Sequence, residues 1–111
     1  MNTTVIVSIS VEGFHWYGKA PKEVDFLRNK HRHNFIINCG IAVNDLDREV
    51  EIFIWRDKVL KYLCDLYGVP CQFNKMSCEM IANEILNYFI DNKMIWCEVW
   101  EESTGGARVD V

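Results

Sequence analysis

The hydrophobic periods along the chain predict an α+β fold, an antiparallel sheet of four to five strands with two helices on one face. Three observations carry this. Apolar residues recur at every second position through two long segments in the first half, the period of strands with one buried side. They then recur every three to four positions in two central segments, the period of amphipathic helices. A last alternating segment returns the chain to the sheet, and strands grouped apart from helices indicate α+β rather than a series of βαβ units.

The first strand is read over residues 5 to 14, where Val5, Val7, Ile9 and Val11 alternate with Ser8, Ser10 and Glu12. Extending the pleat through Gly13 puts His15 on the valine side. Residues 31 to 43 repeat the pattern, with Phe35, Ile37, Cys39, Ile41 and Val43 on one face and Arg32, Asn34 and Asn38 on the other. His31 and His33 share the parity of the apolar face. Asn44-Asp45-Leu46-Asp47 is turn chemistry, and the alternation of Val50, Ile52 and Ile54 predicts a third strand in a hairpin with the second.

A helix is expected over residues 56 to 67, with Val59, Leu60, Leu63, Leu66 and Tyr67 inward and Gly68 ending it; a turn at Pro70 follows. Ser77 is placed to cap a second helix, with Glu79 in its first turn and Ile81, Ile85, Tyr88 and Phe89 on its buried stripe. Residues 94 to 101 read as a strand, Ile95, Cys97, Val99 and finally Glu101 facing one way and Trp96, Glu98 and Trp100 the other. Gly105-Gly106 is a turn that leaves room for a short last strand over Ala107 to Val111. The expected order is β-β-β-α-α-β with an optional final strand.

At 111 residues the chain is expected to be one domain, residues 1-111. Its formal charge of -4 and scattered Lys and Arg argue against nucleic acid as a partner. The longest apolar run, near Val5 to Val11, is broken by Ser8 and Ser10, so no membrane span is expected. With no basic-then-apolar leader, the expected location is cytoplasmic. The five cysteines are an odd count without a Cys-x-x-Cys pair, and are read as reduced, mostly buried small hydrophobes. Cys64, Cys71 and Cys78 are evenly spaced, but Pro70 forbids one helix through them.

The three histidines lie within nineteen residues, at His15, His31 and His33. Three neutral imidazoles at one point make a zinc site with an open fourth position. Antiparallel pairing of the first two strands would set His15 beside His31, and residues two apart on a strand share a face about 7 Å apart. A carbonyl or carboxylate behind each ring would fix its tautomer. Two readings stay open on spacing alone: a metal site, or hydrogen-bonded polar residues on a strand with His15 in a loop.

Several ordered landmarks then resemble a known family: Phe14-His15, His31-Arg32-His33-Asn34-Phe35, Ser77-Cys78-Glu79-Met80-Ile81-Ala82, and Val99-Trp100-Glu101 with Ala107 six residues on. Together they are similar to the 6-pyruvoyl-tetrahydropterin synthase and 6-carboxytetrahydropterin synthase family, which has the tunnelling fold. The resemblance implies zinc (Zn2+) on His15, His31 and His33. It also implies that Glu101 grips the N–H and amino edge of a pterin-like or purine-like heterocycle, a task suited to a carboxylate's two acceptor oxygens. Ser77 and Glu79 match the helix start that lies near the ligand in that family. Members close their sheets into barrels of several subunits, so a homo-oligomer is expected, and an apolar outer face carrying Trp96 and Trp100 would need covering.

Three departures bear on activity. Leu27 stands where the family usually has a cysteine, the Asp-His catalytic pair has no counterpart, and Arg32 replaces a glycine between the two ligands. Proton abstraction beside a metal still needs a base, and Asp25 and Glu23 are the acids nearby in the first loop. Two functions follow as expectations: a catalytically degenerate binding protein for a pterin-like or purine-like molecule, or a zinc-dependent lyase or isomerase acting on a pterin triphosphate with a loop acid in place of cysteine. A purely structural oligomer scaffold is the third reading.

Overall fold

The two long alternating segments pair as their patterns require. In a computed structural model describing residues 1–111, β1 (Thr3–His15) and β2 (His31–Val43) run antiparallel from Thr3 opposite Val43 to His15 opposite His31. The remaining elements are α1 (Ile52–Tyr67), β3 (Cys71–Asn74), α2 (Cys78–Phe89), β4 (Met94–Glu101) and β5 (Gly105–Asp110), with short 3-10 segments at Lys22–Arg28 and Ile90–Asn92. They form one five-stranded sheet in the order β3-β1-β2-β4-β5, and the α+β class with two helices against the sheet stands.

One face of the sheet is the core. Val7, Ile9 and Val11 of β1, Phe35, Ile37, Cys39 and Ile41 of β2, and Cys97 and Val99 of β4 are buried there. Trp55, Val59 and Leu63 of α1 and Ile81, Ala82, Ile85 and Phe89 of α2 join the same cluster. Each such aliphatic or aromatic side chain contributes about 1.5–3 kcal/mol by leaving water. Both helix ends expected from the sequence form. Ser77 Oγ accepts the Met80 N–H at 3.2 Å, and Gly68 takes φ 89° while its N–H bonds the Cys64 carbonyl.

The structure corrects several details, among them Gly105-Gly106, which open β5 opposite Glu101 and Trp100 instead of forming a turn. Residues 50 to 54 do not make a hairpin strand: α1 begins at Ile52, with the Glu51 carboxylate accepting the Ile54 N–H. The physical reason is that β2 already has β1 on one side and β4 on the other, leaving no edge for a third partner. The third strand is instead Cys71–Asn74, between the helices, and it pairs parallel to β1, so the sheet is mixed. On the helices, Leu60, Leu66 and Tyr88 are exposed, because the burial stripe of α1 runs through Trp55, Val59 and Leu63 and Tyr88 stacks on Tyr62 at the surface.

In β4 a register shift opposite Gly40 and Ile41 places Met94, not Ile95, in the core. Trp96 is covered by the chain itself, lying over Gly40, where an added Cβ would collide with the indole. The Arg108 guanidinium sits 4.1 Å from the Trp96 ring. Ile6 and Trp100 remain exposed on that outer face. All five cysteines are free; four are buried and Cys64 is half-buried. No helix is long and apolar enough to cross a membrane.

Candidate metal centre

The histidines meet at one end of the β1/β2 ladder, where His15 lies between His31 of β2 and Asn74 of β3. The floor beneath them is aromatic. A Cβ at Gly13 would come within 2.7 Å of the Phe73 ring, so the glycine gives Phe73 its place against Phe35, with 5.0 Å between ring centroids. His15 and His33 stand edge-on to Phe35 at 5.1 and 5.5 Å. One ring nitrogen from each of His15, His31 and His33 lies within 4.8 Å of the other two.

Each imidazole is held from behind. His15 Nδ1 donates to the Met76 carbonyl at 2.9 Å, and His31 Nδ1 to the Asn29 carbonyl at 2.9 Å. His33 Nδ1 donates to the Glu102 carboxylate at 3.1 Å. With Nδ1 carrying the proton, a neutral ring presents an unprotonated lone pair at Nε2. The Nε2 atoms of His15 and His33 are buried without a hydrogen-bond partner. Buried polar atoms in native proteins are nearly always satisfied, so this pair fits a cation as its missing partner, and three imidazole nitrogens are a donor set zinc accepts. Burial pushes the His15 pKa below its ordinary value, partly offset by the Met76 hydrogen bond, which favours the neutral ligand form.

Glu101 ends β4 facing the same point. Its Oε1 lies 3.3 Å from His15 Nε2 and its Oε2 lies 3.4 Å from His33 Nε2. The Cys78 thiol donates to Oε1 at 3.7 Å, and burial together with this carboxylate pushes the Cys78 pKa up to about 12. Desolvation opposes ionisation of Glu102, yet the Asn34 N–H and His33 outweigh it and hold that carboxyl below the usual range.

The centre opens onto a cavity of about 750 Å³ whose walls include His15, His31, Ser77, Glu79 and Glu101. Lys19 and Lys75 also line it, as does Leu27. Asp25 and Glu23 are exposed on the 3-10 segment and are not among its lining residues. Arg32 points away and pairs with Glu12 at 2.8 Å. Thus the structure gathers His15, His31, Glu101, Ser77 and Glu79 around one space, sets His33 beside His15 and Glu101, and leaves the two loop acids outside.

Sequence reasoning did not single out Glu102, the carbonyls of Met76 and Asn29, or Cys78 as a cavity wall. Glu102 carried a faint signal as the acid next to Glu101. A backbone carbonyl has none, since any residue supplies it.

No family model matches the chain, and no curated protein matches its sequence. Solved structures do match. The 6-pyruvoyl tetrahydropterin synthase of Caenorhabditis elegans superposes with a TM-score of 0.65 at 10% identity, covering 100% of this chain and 96% of that one. The 6-pyruvoyl tetrahydropterin synthase (PTPS) of Plasmodium falciparum superposes with a TM-score of 0.54 at 18% identity, covering 97% and 98%. At such identities the likeness concerns backbone architecture. Along essentially its whole length, the chain has the tunnelling fold of the 6-pyruvoyl tetrahydropterin synthases.

Proposed function

We propose that the protein binds one zinc ion through His15, His31 and His33 and takes a flat pterin-like or purine-like heterocycle in the adjoining cavity, without the turnover of a pterin synthase. The observation that carries this is the orientation of the three rings: every Nδ1 is satisfied from behind, and the two buried Nε2 atoms have no partner. Zinc would supply Lewis-acid polarisation to a ligand atom reaching it. The Glu79 and Glu101 carboxylates, both on the cavity wall, are the acceptors suited to a ring's paired N–H donors, and the Ser77 hydroxyl lines the same space. Lys19 and Lys75 suit an anionic substituent on that ring.

The degenerate reading is favoured over catalysis by what lines the cavity. Leu27 offers no proton acceptor, and the Cys78 thiol is buried with its proton given to Glu101 Oε1 as a hydrogen bond. The lyase or isomerase reading has one supporting feature: Asp25 and Glu23 share a short segment with Leu27, which does reach the cavity. It requires one of those exposed acids to turn inward. The outer sheet face, with Ile6 and Trp100 exposed, suits burial in a homo-oligomer.

Metal analysis of the purified protein, then calorimetric titration with pterins and guanine derivatives beside a turnover assay on a pterin triphosphate, tests both readings. One zinc per chain, heat of binding and no turnover are expected. A kcat on the order of 1 per second or more would replace the binding role by the lyase, and a chain that takes up no metal would remove both.

A further inference from the structure

We infer that Glu101 is the fourth ligand of the metal, so that the ligand-free centre is a closed site of three imidazoles and one carboxylate rather than an open one. The inference rests on the metal reading above and goes beyond it in assigning the carboxylate.

With no ring in the cavity, the Glu101 carboxylate faces two of the histidines. His15 Nδ1 faces a carbonyl and His33 Nδ1 faces a carboxylate, groups that only accept, so both rings spend their proton there. Their Nε2 lone pairs then confront the Glu101 oxygens at 3.3 and 3.4 Å. Two lone pairs and a carboxylate at that distance repel unless a metal ion or a ring proton lies among them, and neither Nε2 makes the hydrogen bond that a proton there would make.

The carboxylate stands close enough to share an ion with the rings. Ligand atoms about 2.0–2.1 Å from a tetrahedral zinc are about 3.3–3.4 Å from one another. His15 Nε2 lies 3.3 Å from Oε1 and His33 Nε2 lies 3.4 Å from Oε2, while the three histidine nitrogens, within 4.8 Å of one another, would draw in around the ion. The carboxylate is also steered. The Cys78 thiol donates to Oε1, and Glu101 sits on the same strand end that sends Glu102 behind His33. Adjacent acids at the end of β4 thus serve one histidine from both sides, Glu102 at Nδ1 and Glu101 at Nε2. Structural zinc sites fill all four positions with protein ligands, whereas catalytic ones keep one for water or substrate. A ring entering the cavity would meet Glu101 already engaged and would have to draw it off the ion.

The test uses the full chain loaded with cobalt(II), whose visible spectrum reports coordination number and ligand exchange. Wild type is compared with Glu101→Gln, which keeps the shape of the side chain, and Glu101→Ala, which leaves the position to water. Expected are one cobalt per wild-type chain with a spectrum unmoved by millimolar azide. Both variants should bind cobalt at least about 10-fold more weakly, the lower end of what loss of a supporting residue costs, and Glu101→Ala should acquire an azide-dependent spectrum. Thermal melting of the metal-free variants checks that they fold, and X-ray absorption of the zinc-loaded wild type, expected to show four protein ligands, gives a reading that needs no variant. Equal affinities together with an azide response in wild type would overturn the assignment of Glu101 and leave the three-histidine site intact. No cobalt or zinc on wild type would overturn the metal site itself.

Discussion

The β1/β2 ladder has two ends built on one repeat and put to opposite uses. Toward the Thr3 and Val43 end, the core-facing positions hold Val7, Ile9, Ile37, Cys39 and Ile41, sealed under α1 and α2. Toward the other end the same parity holds His15, His31 and His33, with Phe35 as the boundary. The apolar end can be buried dry; the histidine end carries lone pairs that its own protein groups leave unmatched. A one-residue slip would turn every side chain to the other face, so the packed end sets the register that aims the histidines. One pair of strands thus assigns packing to one end and unmatched lone pairs to the other.

The sharpest way to break this separation is at the histidines. Replacing His15 or His33 by Ala should lower zinc affinity by several orders of magnitude, since each removes one direct ligand, while the metal-free chain still folds. Competition with a chromophoric chelator measures it, and retained tight binding in both variants would show that the ion sits elsewhere. The complementary change lies at the dry end. Ile37 is fully buried, and Ile37→Ala should cost about 2–5 kcal/mol in denaturant unfolding with metal stoichiometry unchanged in the folded fraction. A change in stoichiometry there would mean that the two ends are one cooperative unit.

A smaller effect separates ligands from their supports. Glu102 touches no Nε2 atom but holds His33 Nδ1 and the Asn34 N–H. Glu102→Ala should weaken metal binding by about 10- to 100-fold, less than loss of a histidine. A loss as large as that of His33→Ala would make Glu102 more than a support.

Much of this contrast was legible in the sequence because it is a matter of parity. Alternation through Val11 and Gly13 placed His15 on the buried face, and the same parity placed His31, His33 and Glu101 there. The helix caps were legible too, because Ser77 and Gly68 have local chemistry that does not depend on the rest of the fold. What escaped was set by tertiary competition. Val50, Ile52 and Ile54 alternate like a strand, but β2 had no free edge, and a glutamate cap such as Glu51 is a weak helix signal. Cys71–Asn74 is only four residues long, too short for a period to stand out, and gains its place from Phe73 packing over Gly13. The atoms behind His15 and His31 are backbone carbonyls, whose position no side-chain pattern encodes.

The subtlest difference between the two ends is their response to acid. Only the histidine end holds a buried imidazole, and burial lowers the His15 pKa below the 6.5 of a free imidazole. As pH falls through 6.5, the unfolded chain takes up a proton at this position before the folded chain does, so the unfolded state is favoured. The contribution is fully present above that pH, is lost progressively below it, and stops changing once the folded His15 also protonates. Glu102, with a pKa held below the usual carboxylate range, also loses stability toward acid, but in a lower window. The metal-free protein should therefore melt at a lower temperature near about pH 5.5 than near about pH 7.5. His15→Gln, which cannot titrate, should flatten that part of the profile. Bound metal should add to the slope, because protons compete with it for the same nitrogens. A metal-free wild type whose melting temperature is unchanged between these two pH values, or is higher at the acidic one, would show that His15 is not buried as a neutral ring.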